Sequence, residues 1–236
     1  MTKLDSAAVQ KRQAWAERPG TQTYIDEMGR YAVARDEAIV RPLLGRGPGR
    51  LLDLPCGTGR FLEIEKELGF TITAADYSPT MMSVAQRHAG VEFVTADAFD
   101  PPFEADTFDA ILIMRLLFHY ANPEAIVSAL AKSLKPGGRM VFDTLNRFST
   151  RWMASKVIKV YRKDPTRRLY FETPGSMRRK IEQAGLRVTA TRTAYLLPTR
   201  AYRVLPRVVT WMADACESLT PSSLRVLTYW QVEKPR

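Results

Sequence analysis

Only two cysteines occur in the 236 residues, Cys56 and Cys216, so no disulfide framework can hold this chain and a reducing, cytoplasmic setting is expected. Histidine is as scarce, at two. No His/Cys/Asp/Glu set stands at ligand spacing, which argues against a metal site. Long apolar runs are missing as well. The longest, "AILIMRLLF", is too short to span a bilayer and carries Arg115. The opening residues lack the apolar core of a signal peptide. No repeat, low-complexity tract or Pro/Gly/Ser-rich linker divides the sequence, so a single domain over residues 1–236 is expected.

What is present is charge, unevenly spread. The chain carries a net +10, yet Arg139 to Arg207 alone holds seventeen Lys/Arg against four acids. The remainder is therefore mildly acidic. A basic segment can attract nucleic acid, anionic lipid or an acidic small molecule, or it can serve only as a solvated face.

From residue 50 onward, short apolar runs alternate with amphipathic stretches. "RLLDL", "FTITAAD", "VEFVTAD", "FDAILIMRLLF" and "RMVFDTLN" read as strands. "RFLEIEKELG", "SPTMMSVAQRHAG" and "NPEAIVSALAKSLKPGG" read as the helices between them, with Ser78 an N-cap and Pro79 at the first helical position. The fourth strand is the most continuously apolar, as a strand buried on both faces should be. Such alternation predicts an α/β fold, a mostly parallel sheet with helices on both faces. Before it, "DSAAVQKRQAWAER" and "TYIDEMGRYAVARDEAIVRPLL" read as helices. After it come "RWMASKVIKVYRK" (helix), "RRLYFE" (extended), "PGSMRRKIEQAG" (helix), "LRVTATRTAYLL" (strand), "RVLPRVVTWMADACESL" (proline-interrupted helix) and "LRVLTYWQVEK" (closing strand).

The stretch "LLDLPCGTGR" carries the functional signal. An apolar strand stops at Asp53, and the chain then turns through Pro55, Gly57 and Gly59. Open α/β sheets bind ligands beyond the C-terminal ends of their strands, where strand order reverses. Glycines there permit close backbone approach. Acids end the next two strands: Asp76, placed to accept the hydroxyls of a ribose, and Asp97, placed to accept from an adenine amine. A nicotinamide dinucleotide site would need G-x-G-x-x-G, which "PCGTGRF" does not supply.

Together these residues resemble the class I S-adenosylmethionine-dependent methyltransferases. "LLDLPCGTGR", "ITAADYS", "VTADAF" and "FDAILIMRLLFHYANPE" resemble that family's first four motifs, and "LKPGGRMVFDTLN" the helix-turn-strand that follows. The resemblance implies a Rossmann-like seven-stranded sheet, its last strand antiparallel, with S-adenosyl-L-methionine across the strand tips. It implies that Asp53 orients the methionine amino group and that Pro55, Cys56, Gly57, Thr58 and Gly59 line the methionine moiety. Asp76 would hold the ribose, with Tyr77 and Met81 beside the adenosine. Asp97 and the backbone of Ala98 would read the adenine edge, and Met114 and Arg115 would lie under the sulfonium. Pro55 departs from the glycine usual in the family. It removes an N–H but keeps a carbonyl that can accept from an ammonium.

His119 follows the fourth strand, near where the methyl group would project. It is a candidate base for a hydroxyl, amine or acidic carbon, or else it orders the loop "FHYANPE". "DPPF" at 100–103 imitates an amine methyltransferase motif but precedes the fourth strand instead of following it, which makes it a connector. Residues 1–45 are expected to form a helical lid, with Tyr24 and Tyr31 over the cofactor or in the core. Residues 147–173 are expected to form a basic substrate-side insert in which Trp152 belongs to an apolar face. Such an insert suits a peripheral membrane contact or a lipid-like or acidic acceptor. The expected activity is methyl transfer to oxygen, nitrogen or carbon of a small molecule. Nucleic acid is disfavoured, and RNA methylation and non-catalytic cofactor binding are the alternatives.

Overall fold

A computed structural model describes residues 6–16, 30–157, 168–199 and 201–236. Its centre is one sheet whose long strands run in the order β3-β2-β1-β4-β5-β8-β7. The strands are β1 (Gly49–Asp53), β2 (Phe70–Asp76), β3 (Glu92–Thr95), β4 (Phe108–Ile113), β5 (Leu134–Asn146), β7 (Arg187–Ala194) and β8 (Leu227–Glu233). The predicted extended segment near residue 170 is a two-residue strand, β6 (Phe171–Glu172), lying beside the end of β5. Pairing is parallel from β3 through β5, and β8 is antiparallel to both neighbours. The architecture is the seven-stranded, mostly parallel arrangement expected, extended by β6.

Alternation along the strands builds two cores. Leu51, Ile72, Ala74, Ala110, Leu112 and Val141 face one layer, while Leu52, Ala75, Ile111, Ile113, Met140 and Phe142 face the other. Helices α2 (Arg30–Leu44) and α3 (Leu62–Glu67) seal the first layer with Val40, Leu43, Leu44, Leu62 and Ile64. Helices α5 (Pro123–Ser133) and α7 (Pro174–Gln183) seal the second with Ile126, Val127, Leu130, Met177 and Ile181. Residues 30–44 are thus part of the core. Of the rest of the N-terminal stretch, α1 (Ser6–Ala16) lies against α4 (Pro79–Ala85), and Tyr24 falls outside the described residues.

Helix α4 starts as its sequence dictates, with Pro79 at its first position and the Ser78 hydroxyl accepting from the Met81 N–H at 3.3 Å. β5 begins earlier than the sequence suggests. Leu134 already pairs with Phe108, and the ladder then shifts register through the Pro136-Gly137-Gly138 turn. The basic insert contributes α6 (Thr150–Val157), and residues 158–167 lie outside the described residues. The proline-interrupted stretch divides at Pro206 into α8 (Ala201–Val204) and α9 (Arg207–Glu217). No described helix is long and apolar enough to cross a membrane.

Candidate active site

Strand order reverses beside β1: the chain runs outward to β2 and β3, then returns to place β4 on β1's other side. At the C-terminal tips of these strands a cleft opens, enclosing about 980 Å³ with its solvent-open mouth. The turn after β1, the tips of β2 and β3 and the segment after β4 all contribute to its wall.

Of the residues singled out by sequence, Pro55, Cys56, Gly57, Thr58, Asp76, Tyr77, Met81, Asp97, Ala98, Met114, Arg115 and His119 line this cleft. Asp53 and Gly59 stand behind the wall. Tyr31 stacks on Tyr202 with ring centroids 5.7 Å apart and donates to Asp214, away from the lining, and Trp152 on α6 is likewise not part of it. The other histidine, His88, pairs with Glu63 instead. In the "DPPF" stretch, Phe103 is partly buried and sits edge-on to Phe108 at 5.2 Å, packed against the second core.

The two glycines of the turn do different work. Gly57 has φ +55, and a Cβ there would meet only Met81 Cε at 3.9 Å, leaving a cradle open to a ligand. Gly59, at φ +81, is closed: a Cβ would stand 2.9 Å from Leu62 Cδ1 and 3.0 Å from Ala85 Cβ. The second glycine therefore packs the turn against α3 and α4 and does not face the cleft. Gly59→Ala should cost about 1–3 kcal/mol of stability through the forced left-handed backbone, more if the helices cannot part. Chemical denaturation measures it.

Asp76, at the tip of β2, is 8% exposed. Its Oδ2 accepts from the Gly57 N–H and its Oδ1 from the Ser78 N–H, each at 2.8 Å. Each oxygen keeps a further acceptor site for a hydroxyl. Burial raises its pKa, and the hydrogen bonds from Ser78 and Gly57 oppose that shift. At the tip of β3, Asp97 Oδ1 accepts from the Phe99 N–H at 3.1 Å.

Asp53 is fully buried, and neither carboxylate oxygen has a hydrogen-bond partner among the described residues. Burial, reinforced by the charge of Asp76, holds its pKa well above the ordinary carboxylate range. An orphaned buried carboxyl is costly, and a cationic group beside it would remove the cost. Glu65 on α3 shares the situation: it is fully buried, without a partner among the described residues, and raised by burial and by Asp53. The same burial and the three carboxylates push the Cys56 thiol up, so it stays protonated and is no nucleophile.

Met114 lines the far end, but Arg115 does not present its charge there. Its φ is +61, its N–H donates to Asp143 Oδ1 at 2.7 Å, and its guanidinium pairs with Asp36 and Asp143. Sequence inspection missed Arg60, Phe99, Leu116 and Tyr120, which also line the cleft. Phe99 and Tyr120 meet edge-to-face at 4.9 Å and give the lining an aromatic pair.

S-adenosylmethionine suits this donor set. The Gly57 cradle would admit a chain, the spare acceptor sites of Asp76 would take ribose hydroxyls, and Asp97 with the Ala98 backbone would face an adenine edge, while the unpaired Asp53 lies behind the wall and would reach an ammonium only through the turn. The fold is the one seen in S-adenosylmethionine-dependent methyltransferases of known structure, and residues 52–142 match the model of the methyltransferase domain.

Among curated proteins, the chain is 38% identical over 104 residues to the ubiquinone biosynthesis O-methyltransferase of Xanthomonas axonopodis pv. citri (strain 306), covering 42% of this chain and 44% of that one. It is 41% identical over 120 residues to the demethylmenaquinone methyltransferase of Clavibacter sepedonicus, covering 49% and 46%. The matched stretch thus spans less than half the length of either relative. An S-adenosylmethionine-dependent methyltransferase of Thermotoga maritima superposes with a TM-score of 0.63 at 18% identity, over 96% of this chain and 95% of that one.

Proposed function

We propose that this protein transfers a methyl group from S-adenosylmethionine to a hydroxyl oxygen on a small, ring-bearing, lipid-like acceptor of the quinone-precursor type. The observation that carries the reading is the composition of the cleft. Its lining joins the acids Asp76 and Asp97 with the apolar and aromatic side chains of Phe99, Met114, Leu116 and Tyr120, and with His119. The names of both relatives concern quinones, and that of the first names oxygen as the atom methylated. An acidic acceptor has less support, because the arginines in the lining, Arg60 and Arg115, are both paired with Asp36.

When bound, the cofactor supplies a methyl group on a sulfonium, an activated leaving group. The chain's task is alignment and exclusion of water. The carboxylates fix the adenosyl end, and the apolar mouth holds the acceptor ring. His119 takes the hydroxyl proton as the oxygen–carbon bond forms and the carbon–sulfur bond breaks. Helix α1, which lies against α4, belongs to the cover over the adenosine. The positive charge of the insert favours an acceptor held at a lipid surface.

The test is release of S-adenosylhomocysteine with phenolic acceptors carrying apolar tails. His119→Ala should lower kcat by about 10²- to 10⁴-fold at unchanged cofactor affinity. Full turnover in that variant across the pH range removes His119 from the mechanism. Failure to methylate any such acceptor, with the cofactor bound, refutes the acceptor class.

A further inference from the structure

Beneath the cleft lies a charge cluster in which one side chain serves four others. Asp36, on α2, is fully buried. Its Oδ2 accepts from Arg60 Nη1 at 2.8 Å and from Arg115 Nη2 at 2.5 Å. Its Oδ1 accepts from the Tyr195 hydroxyl at 2.7 Å and the Tyr229 hydroxyl at 2.5 Å. Burial alone would raise its pKa, but Arg115 and Arg60 hold it below the usual carboxylate range, so it is anionic. Asp143, also fully buried, pairs with Arg115 Nη1 at 3.1 Å. Two cations and two anions therefore balance next to the cleft, and both cations contribute to its lining.

That balance matters for a cationic ligand. S-adenosylmethionine carries a permanent sulfonium charge, and its product S-adenosylhomocysteine carries none there. Two uncompensated guanidinium groups in a low-dielectric wall would repel the first and not the second. Resting on the cofactor assigned above, we infer that Asp36 is a positioning residue that, together with Asp143, neutralises Arg60 and Arg115 so that the cleft accepts a sulfonium. It acts through the arginines and touches no reacting atom. The same bonds hold Arg115 in its left-handed conformation and tie α2 to the turn after β1 and to the segment after β4. Helix α2 is in this way part of the electrostatics of the site.

The test is the ratio of affinities for the two cofactor forms, measured by calorimetric titration of the full chain. Asp36→Asn keeps the shape and removes one negative charge. It should weaken S-adenosylmethionine by roughly 10- to 30-fold relative to S-adenosylhomocysteine. Combining it with Arg60→Gln restores neutrality and should return the ratio towards wild type. Where Asp36→Asn does not fold, Arg60→Gln alone decides: it adds net negative charge and should favour S-adenosylmethionine over S-adenosylhomocysteine. Equal weakening of both forms, or an unchanged ratio in every variant that folds, overturns the role given to Asp36. Failure of the wild-type protein to bind either form would instead overturn the cofactor assignment.

Discussion

Asp76→Ala is expected to weaken cofactor binding by about 1–3 kcal/mol, some 5- to 150-fold in Kd. The size follows from the groups the carboxylate serves at once. It holds the Gly57 and Ser78 N–H groups at 2.8 Å, and so shapes both the turn and the start of α4. Its spare acceptor sites are those assigned to the ribose. Removing it orphans two backbone donors at a buried position and leaves the hydroxyls without acceptors. Asp76→Asn should lie between, since an amide keeps one acceptor and sets a donor against one of the N–H groups. Calorimetric titration measures both variants. Affinity unchanged by the alanine would refute the ribose contact.

The second large effect runs the other way. Glu65→Leu should raise stability by about 1–3 kcal/mol, because it replaces a buried, unpartnered carboxyl with an apolar side chain of similar volume. For a chain of this size each kcal/mol shifts Tm by about 2–4 °C. The gain should also depend on pH. In the unfolded chain Glu65 titrates at its ordinary value of 4.5, whereas in the fold burial and Asp53 raise it well above that. Above pH 4.5 the folded state therefore keeps a proton that the unfolded chain has lost. Its contribution to stability is fully present below that pH and declines as pH climbs through the raised folded value. Wild type should weaken along that climb, and Glu65→Leu should weaken less, since Asp53 has then lost a like-charged neighbour. Equal stability of the two proteins at every pH would show that Glu65 has a partner.

How much of this was legible in sequence depends on how local each feature is. The turn from Asp53 to Gly59 and the strand-end acids Asp76 and Asp97 could be found because motif and structure are contiguous there, and strand periodicity marks where each tip falls. The roles of individual residues within the turn were less accessible. Gly57 and Gly59 look alike in sequence, yet only the packing of Leu62 and Ala85 shows that one faces the cleft and the other the helices. Arg115 was assigned to the sulfonium end by position, but its positive φ and two buried carboxylates direct its charge elsewhere.

Least legible were the buried charges. Glu65 sits between Glu63 and Glu67, both exposed, and looks like one more solvated helix charge. Asp36 looks the same within "RYAVARDEAIV". Its partners at 60, 115, 195 and 229 meet it only through tertiary packing. No periodicity or spacing brings those five together.

A crystal structure of the protein with S-adenosylhomocysteine tests the central claim most directly. The ribose hydroxyls should be found on the Asp76 carboxylate, the adenine edge at Asp97 and the Ala98 backbone, and the amino group on the Asp53 side of the Gly57 turn. A ligand seated elsewhere, or in this cleft with no hydrogen bond to Asp76, would contradict it.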